Sequence, residues 1–286
     1  MERMVKGHRH VPREVTARAR QENFPVASRL LPQETREALM AFYGFARLVD
    51  DSGDEAPGDR LGLLAHLEAQ LDTAVQGAAQ DPTFQRLAPV IRGLGLDATP
   101  FRRLIEANRL DQRKSRYQTW DELVDYCMLS AAPVGELVLG AFRATSPERV
   151  ALSDDVCIAL QLVEHLQDVG EDVRRDRVYL PVEDMERFGC RESDLTATTA
   201  GPALRALVAF EAARARRLLT SGVSLAATLS LRPRVAICGF VGGGLATIDS
   251  MRRADYDVLS ATRRPTKPGV VRRTLSTLAL STRGHG

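Results

Sequence analysis

Two groups of carboxylates, more than a hundred residues apart, are the part of this sequence best suited to chemistry. The first group is residues 50–55 (DDSGDE) and the second is residues 168–172 (DVGED). In each group two aspartates are four residues apart, which places both side chains on one face of a helix, one turn apart. Like charges at this spacing repel each other, and a cation between the two groups would convert that repulsion into binding.

Paired oxygen ligands of this kind suit Mg²⁺, which commonly bridges protein carboxylates to a phosphorylated substrate. The sequence therefore predicts a metal-dependent enzyme that acts on a diphosphate. The alternative is that the acids are solvated at helix ends, with Arg47 paired to the carboxylate four residues later. The candidate metal ligands are Asp50, Asp51, Asp54, Asp168 and Asp172.

The bulk composition indicates an ordinary soluble globular protein of 286 residues, with 44% hydrophobic and 27% charged residues. A net charge of +2 makes no case for nucleic-acid binding. Four widely spaced cysteines indicate reduced thiols, and the histidines show no zinc-ligand spacing. No secretory signal or uninterrupted apolar run of membrane-spanning length is visible, so we expect a cytoplasmic protein.

The hydrophobic pattern has the helical period almost throughout, and only residues 177–181 (RVYLP) look extended. We therefore predict one all-α domain, a helical bundle whose facing helices surround a central active-site cavity. The predicted helices are 34–49, 60–75, 84–91, 100–108, 120–142, 147–174, 202–220 and 234–259. The predicted division is a basic segment at 1–20, a catalytic domain at 21–262 and a basic tail at 263–286.

The tail contains six Arg or Lys residues and no acid. Its residues 270–280 have the pattern of a weakly amphipathic basic helix that would lie on a membrane surface. We favour the alternative, a frayed and disordered tail.

The second acidic group continues backward along one helical stripe through Gln161, Glu164 and His165. The surrounding residues are apolar, and a polar stripe on a buried helix is unfavourable unless its groups are satisfied. Arg47 and Tyr43 share a face with the first acidic group, and Arg47 is a planar donor suited to a diphosphate oxygen. These features favour an active site between the two helices.

Two further segments are candidates for the cavity. In residues 177–181, Arg177 is placed to hold phosphate and Tyr179 to line the wall. In residues 126–135, Pro133 predicts a kink. The small residues at that kink either leave room for a ligand or pack two helices closely, and the sequence does not decide between these.

Together these segments resemble the squalene/phytoene synthase family. The resemblance extends from residues 22–28 (ENFPVAS) to residues 254–259 (ADYDVL), and residues 43–51 (YGFARLVDD) and 161–181 are the most specific parts. It implies the all-α isoprenoid synthase fold with a central cavity, and Mg²⁺ held by Asp50, Asp54, Asp168 and Asp172. It also places Arg47 and Arg177 near the diphosphate, and Phe24, Tyr43, Tyr126, Gln161 and Tyr179 around the hydrocarbon.

Within the family, residues 22–28, 130–135 and 162–168 are most similar to the bacterial branch that makes hydroxysqualene in the three-step route to squalene for hopanoids. Condensing members usually carry Asn where this chain has Glu164, a Ser-x-Phe motif where it has Asn23-Phe24, and a tyrosine aligned with Gly244. The resemblance therefore implies a member that acts on presqualene diphosphate, the product of condensation. It also implies a prenyl diphosphate partner and functional association with other enzymes of that pathway.

The reaction that follows is loss of diphosphate, rearrangement of the carbocation and capture by water, with an apolar wall that keeps other water out. We expect Glu164 or His165 to orient that water or accept its proton. No Gly-x-Gly-x-x-Gly motif follows a strand, so no reduction step is expected. The alternatives are head-to-head condensation of two prenyl diphosphates and, from another class, a non-catalytic helical lipid-binding or partner protein.

Overall fold

Every regular element in residues 31–260 and 264–283, the part of the chain that the computed structural model describes, is helical. A π-helical turn, Asp51–Glu55, extends the first helix, and a 3-10 turn, Glu192–Thr196, follows the eighth. The all-α prediction is therefore confirmed. In chain order the α-helices are α1 (Gln33–Asp50), α2 (Arg60–Val75), α3 (Pro82–Leu94), α4 (Thr99–Asp111), α5 (Trp120–Ser130), α6 (Ala132–Ala141), α7 (Pro147–Arg174), α8 (Val182–Phe188), α9 (Pro202–Leu218), α10 (Ser221–Ala227), α11 (Leu231–Arg253) and α12 (Lys267–Arg283).

Helix α7 is the central element of the bundle, and both of its ends agree with the sequence prediction. It begins after Ser146, whose Oγ accepts the backbone N–H of Arg149 at 3.3 Å, and Pro147 occupies the first turn where its missing N–H is harmless. Its 28 residues extend for about 42 Å. It packs against α5, α6, α9, α10 and α11, so residues on its surface face several neighbours at once.

Two apolar clusters hold the bundle together. In the first, formed by α1 to α4, Phe45 meets the rings of Phe84 and Phe101 edge-on with centroids 5.8 and 5.2 Å apart. The second surrounds α7 and includes residues of α5 and α8 to α11. Helix α6 contributes Leu137 to the first cluster and Leu139 to the second, so the two clusters meet across it.

The predicted kink near Pro133 is a complete break between α5 and α6 at Ala131. Pro133 lies in the first turn of α6, and Arg103 donates from Nε to the carbonyl oxygen of Met128 at 3.0 Å, which satisfies a group at the end of α5. A Cβ on Gly135 would collide with Ser153 of α7, so the small residues here serve close helix packing.

Residues Trp120–Ala141, which include this break, are the one helical stretch in the described ranges that is long and apolar enough to cross a membrane. Just over half of the most apolar 18-residue part of this stretch is buried inside the fold. It therefore forms part of the core, as expected for a buried helix.

The prediction of a disordered C-terminal tail is wrong, because residues 267–283 form α12, which packs along α11. The two helices are antiparallel. Arg273 donates from Nε and Nη2 to the Asp249 carboxylate at 2.6 and 2.8 Å, and Thr274 lies against Gly242. The glycines of α11 do not interrupt that helix, and Gly242 allows α12 to approach its backbone.

Candidate active site

The first acidic group lies at the junction of α1 and the π-helical turn, which widens the helix by one residue per turn. The aspartates therefore meet different partners. Asp51 accepts from Arg47 Nη2 at 2.6 Å, as predicted for the solvated alternative, whereas Asp54 accepts from Arg177 Nη2 at 2.7 Å. Asp50 accepts from Asn108 Nδ2 at 3.3 Å.

Helix α4 holds this junction in place through two residues that the sequence analysis did not identify. Gln112, which follows α4, donates from Nε2 to the carbonyl oxygen of Gly53 at 3.0 Å. A Cβ on Gly53 would collide with the side chain of Asn108, so only glycine allows α4 to approach so closely. The π-turn is therefore fixed by contacts from a helix more than fifty residues away.

The second acidic group is on α7, with Asp168 and Asp172 one turn apart. Burial, followed by the charge of Asp168, raises the pKa of Asp172 to about 7. Burial also raises the pKa of Asp168, and it raises the pKa of Asp50 in the first group to about 6. Burial and neighbouring carboxylates thus disfavour ionisation in both groups, and a divalent cation bound there would favour the charged carboxylates.

Arg177 joins the two groups. Asp176, in the left-handed region at φ 58°, reverses the chain after α7, and residues 177–181 run back extended. The backbone N–H of Val178 donates to Ser115 O at 2.9 Å, which confirms the extended prediction. The Arg177 guanidinium bonds to Asp54 and lowers the pKa of Asp172, so a diphosphate would meet its donors between the two acidic groups.

No three His, Cys, Asp or Glu side chains in residues 31–260 and 264–283 lie close enough to hold a metal ion by themselves. Mg²⁺ is usually bound by one or two carboxylates together with substrate phosphates, so it does not require such a group. The carboxylates on each side of Arg177 fit that mode, since they are hard oxygen donors on two facing elements. The assignment of Mg²⁺ to Asp50, Asp51, Asp54, Asp168 and Asp172 stays a prediction.

An aromatic wall, formed by Tyr117, Tyr126, Tyr179 and His165, lies beside this junction. The rings of Tyr179 and His165 are stacked 3.8 Å apart at 12°, and Tyr126 stacks on Tyr179 at 5.4 Å. Asp111 accepts from Tyr126 Oη at 2.9 Å and from Tyr179 Oη at 3.1 Å, and burial raises its pKa to about 6. Neither Tyr117 nor Asp111 was identified from the sequence.

The stripe on α7 is divided between two sides of the helix. His165 lies in the aromatic wall, and burial lowers its pKa to about 3, so the imidazole is neutral. The Gln161 amide nitrogen lies 3.2 Å from His165 Nε2 and donates to it, which leaves the ring proton on Nδ1, 4.0 Å from Asp172. His165, Asp172, Arg177 and Tyr179 line a small pocket of about 10 Å³.

Glu164 lies on the other side, where α7 faces α11. There it lines a small pocket of about 10 Å³ together with Gln167, Gly243, Gly244 and Thr247. A Cβ on Gly244 would lie 2.8 Å from Leu160 Cδ2, so a larger residue requires the end of the Leu160 side chain to move. The structure therefore separates the two residues proposed to handle water.

The remaining predicted substrate contacts are on α1 or outside the described chain. Tyr43 is half-buried, one turn before Arg47. Phe24, with residues 22–28 and the segment 1–20, lies outside the described residues. A wider pocket of about 310 Å³, lined by residues of α3, α4 and α6, contains none of the predicted site residues.

Comparison with known proteins gives one consistent result. The family model described as squalene/phytoene synthase matches residues 17–270. The chain is 39% identical to a hydroxysqualene synthase of Zymomonas mobilis over 72% of this chain and 70% of that protein. It is 37% identical to a 15-cis-phytoene synthase of Synechocystis over 71% of this chain and 64% of that protein.

Solved structures agree with the fold. The squalene synthase HpnC from Alicyclobacillus acidocaldarius superposes with a TM-score of 0.77 at 39% identity and covers 90% of this chain and 98% of its own. A dehydrosqualene synthase superposes with a TM-score of 0.83 at 24% identity, covering 93% and 94%, which is a likeness of fold alone.

Proposed function

Because this chain belongs to the squalene/phytoene synthase family, we propose that it converts presqualene diphosphate and water into hydroxysqualene and diphosphate. The observation that supports the first step, loss of diphosphate, is the Arg177–Asp54 contact. This contact brings the two acidic groups together beside an aromatic wall. The similarity to hydroxysqualene synthases supports the second step, capture of the carbocation by water, although phytoene synthases match at nearly the same identity.

In the proposed reaction the leaving diphosphate lies between the two acidic groups. Arg177 exchanges its bond to Asp54 for phosphate oxygens, and Arg47 supplies a second planar donor from α1. Bound Mg²⁺, held by aspartates of both groups, would neutralise charge on the leaving group. Tyr179 and the other rings of the aromatic wall then face the cationic hydrocarbon and keep bulk water away from it.

The geometry favours Glu164 over His165 as the residue that orients the capturing water. His165 Nε2 already accepts from Gln161, and Nδ1 carries the ring proton, so the imidazole has no free lone pair to accept a proton from water. Glu164 borders the pocket between α7 and α11, one turn before Asp168. A water held there would be within reach of a hydrocarbon that extends from the diphosphate site along α7.

We expect Glu164→Gln to separate ionisation from water capture. The variant keeps the shape of the side chain but loses its basicity, so diphosphate release should continue while the hydroxysqualene formed per diphosphate falls about 10-fold. The matched control is Gln167→Glu, which changes a neutral residue in the same pocket. An unchanged ratio of hydroxysqualene to diphosphate in Glu164→Gln would show that this residue does not handle the water.

The proposed function is tested by incubating the protein with Mg²⁺ and, in separate reactions, farnesyl, geranylgeranyl or presqualene diphosphate. The products are then identified by mass spectrometry. We expect turnover of presqualene diphosphate alone. Turnover of farnesyl or geranylgeranyl diphosphate by itself would instead establish the second candidate, head-to-head condensation, which the phytoene synthase relatives favour. No diphosphate release from any substrate would favour a non-catalytic lipid-binding or partner protein.

We also propose that α12 makes a peripheral contact with an anionic lipid surface, which would give access to an apolar substrate. Val271 and Leu275, one turn apart, are 57% and 60% exposed, and Arg272 and Lys267 are exposed beside them. Apolar and basic residues together are the pattern of an interfacial helix. Association with other enzymes of the pathway stays a prediction.

For this contact we expect Val271→Ser/Leu275→Ser to reduce co-sedimentation with vesicles that contain about one-third anionic lipid. Binding should also weaken as salt rises, because screening shortens the reach of the basic residues. The control is Leu61→Ser/Leu63→Ser on α2, two residues that are 46% and 40% exposed. Equal loss in both variants, or salt-independent binding, would contradict a contact through α12.

A further inference from the structure

Asp111 is the one carboxylate among the described residues that the structure shows accepting two tyrosine hydroxyls. It is the last residue of α4 and belongs to neither acidic group. Its Oδ2 accepts from Tyr126 on α5, and its Oδ1 accepts from Tyr179 in the extended segment after α7. Both tyrosines are buried, at 5% and 7% exposure. One side chain thus fixes two rings that come from distant parts of the chain.

These bonds fix the direction of both hydroxyls and determine which part of Tyr179 faces the pocket. A phenol has a single proton to donate, and here Asp111 receives the proton of both rings. The hydroxyls therefore point toward α4, while Tyr179 presents its ring to the pocket that it lines with His165, Asp172 and Arg177. With its hydroxyl held in this way, Tyr179 offers an aromatic surface to a cation in the pocket.

The carboxylate also acts on the electronic character of the rings. A cation is attracted to the negative face of an aromatic ring. A hydrogen bond from the phenol to a carboxylate moves electron density toward the ring and makes this face more negative. The stacking of Tyr126 on Tyr179 and of Tyr179 on His165 keeps the three rings in one continuous group. Arg177 lies close enough to lower the pKa of Asp111. Its positive charge therefore partly balances the buried Asp111 carboxylate.

We propose that Asp111 is a positioning residue that holds Tyr126 and Tyr179 with their rings, and not their hydroxyls, toward the reacting hydrocarbon, and that it thereby controls which product the carbocation gives. This inference rests on the proposed function, since it requires a cationic intermediate in the pocket. Without the carboxylate, the hydroxyls rotate freely. The rings are then held by stacking alone and can tilt so that a hydroxyl oxygen meets the cation, and the ring faces lose part of their attraction for it.

The test compares Asp111→Asn, Tyr126→Phe, Tyr179→Phe and the double variant Asp111→Asn/Tyr179→Phe. Each is measured for diphosphate release, for the distribution of prenyl products and for thermal unfolding. We expect Asp111→Asn to raise the share of misdirected alcohols and hydrocarbons at least about 5-fold, with kcat about 10-fold lower and KM nearly unchanged. Because Asp111 acts through the tyrosine, the double variant should be no worse than Asp111→Asn alone.

The matched control is Asp155→Asn on α7, a carboxylate that accepts the Ser221 hydroxyl at 2.7 Å and lies outside the aromatic wall. It should leave the product distribution unchanged even if it lowers the unfolding temperature. A folded Asp111→Asn with the wild-type distribution, or additive effects in the double variant, would overturn the proposal. The variants are assayed with whichever prenyl diphosphate the wild type consumes. If the wild type does not consume presqualene diphosphate, the proposed function fails, but the role of Asp111 can still be tested with the true substrate.

Discussion

Asp172→Asn is expected to reduce Mg²⁺-dependent diphosphate release by about 10²–10³-fold, an effect of the size found when one electrostatic contact to a transition state is removed. The same change should leave the metal-free protein at least as stable as the wild type. The Asp172 carboxylate is partly buried beside Asp168, and both effects raise its pKa to about 7, so its charge opposes folding at higher pH. Loss of activity with gain of stability distinguishes a site residue from a structural one.

The control for this variant is Glu171→Gln, one residue earlier on the same helix. Glu171 is paired with Arg175 at 2.9 Å, and its side chain is 54% exposed, so its removal should change neither rate nor stability appreciably. The measurements are steady-state diphosphate release over a range of Mg²⁺ concentrations and thermal unfolding with and without Mg²⁺. If Asp172→Asn kept wild-type activity at low Mg²⁺, the carboxylate would have no part in metal binding.

The sequence was sufficient to predict α7 and its polar stripe because both depend on local signals. Ser146 and Pro147 mark the start of the helix, and the acids recur at helical spacing on an otherwise apolar helix. Even so, the stripe alone could not show that His165 is stacked on Tyr179 while Glu164 faces α11. That difference depends on which helix covers each side of α7, which is a property of the whole bundle.

The first acidic group shows the same limit more strongly. Its residues were identified, but helical spacing predicted one face for aspartates that the π-turn directs to different partners. The contact between Asp54 and Arg177 joins residues 123 positions apart, and no local pattern specifies it. The resemblance to the squalene/phytoene synthase family implied that both residues serve one site, but not that they bond directly.

Asn108 and Asp111 had a signal that could have been used. They follow Phe101 and Leu104 at helical spacing, so they lie at the C-terminal end of the apolar stripe of α4. A polar residue on a buried stripe requires partners, and here these are Asp50 for Asn108 and two tyrosines for Asp111. Helix α12 offered no such signal, because it docks through Arg273, Thr277 and Ser281 and not through an apolar stripe.

Gly242→Ala is expected to destabilise the protein by about 1–3 kcal/mol, the usual range for overpacking, and to loosen α12 from α11. A Cβ at this position would lie 2.6 Å from the backbone nitrogen and 2.8 Å from the Cα of Thr274, and backbone atoms cannot move aside as a flexible side chain does. Gly239→Ala on the same helix is the matched control, because a Cβ there meets nothing within 4 Å. The free energy of unfolding of Gly239→Ala should rise by roughly 0.5–1 kcal/mol, since alanine favours the helix.

Urea unfolding gives the free energies of unfolding of both variants, and hydrogen exchange at α12 shows whether that helix opens first. Opposite signs for two identical substitutions, three residues apart, would establish that close contact with α12 requires glycine at position 242, whereas equal stabilisation of both variants would show that α12 is not docked as described.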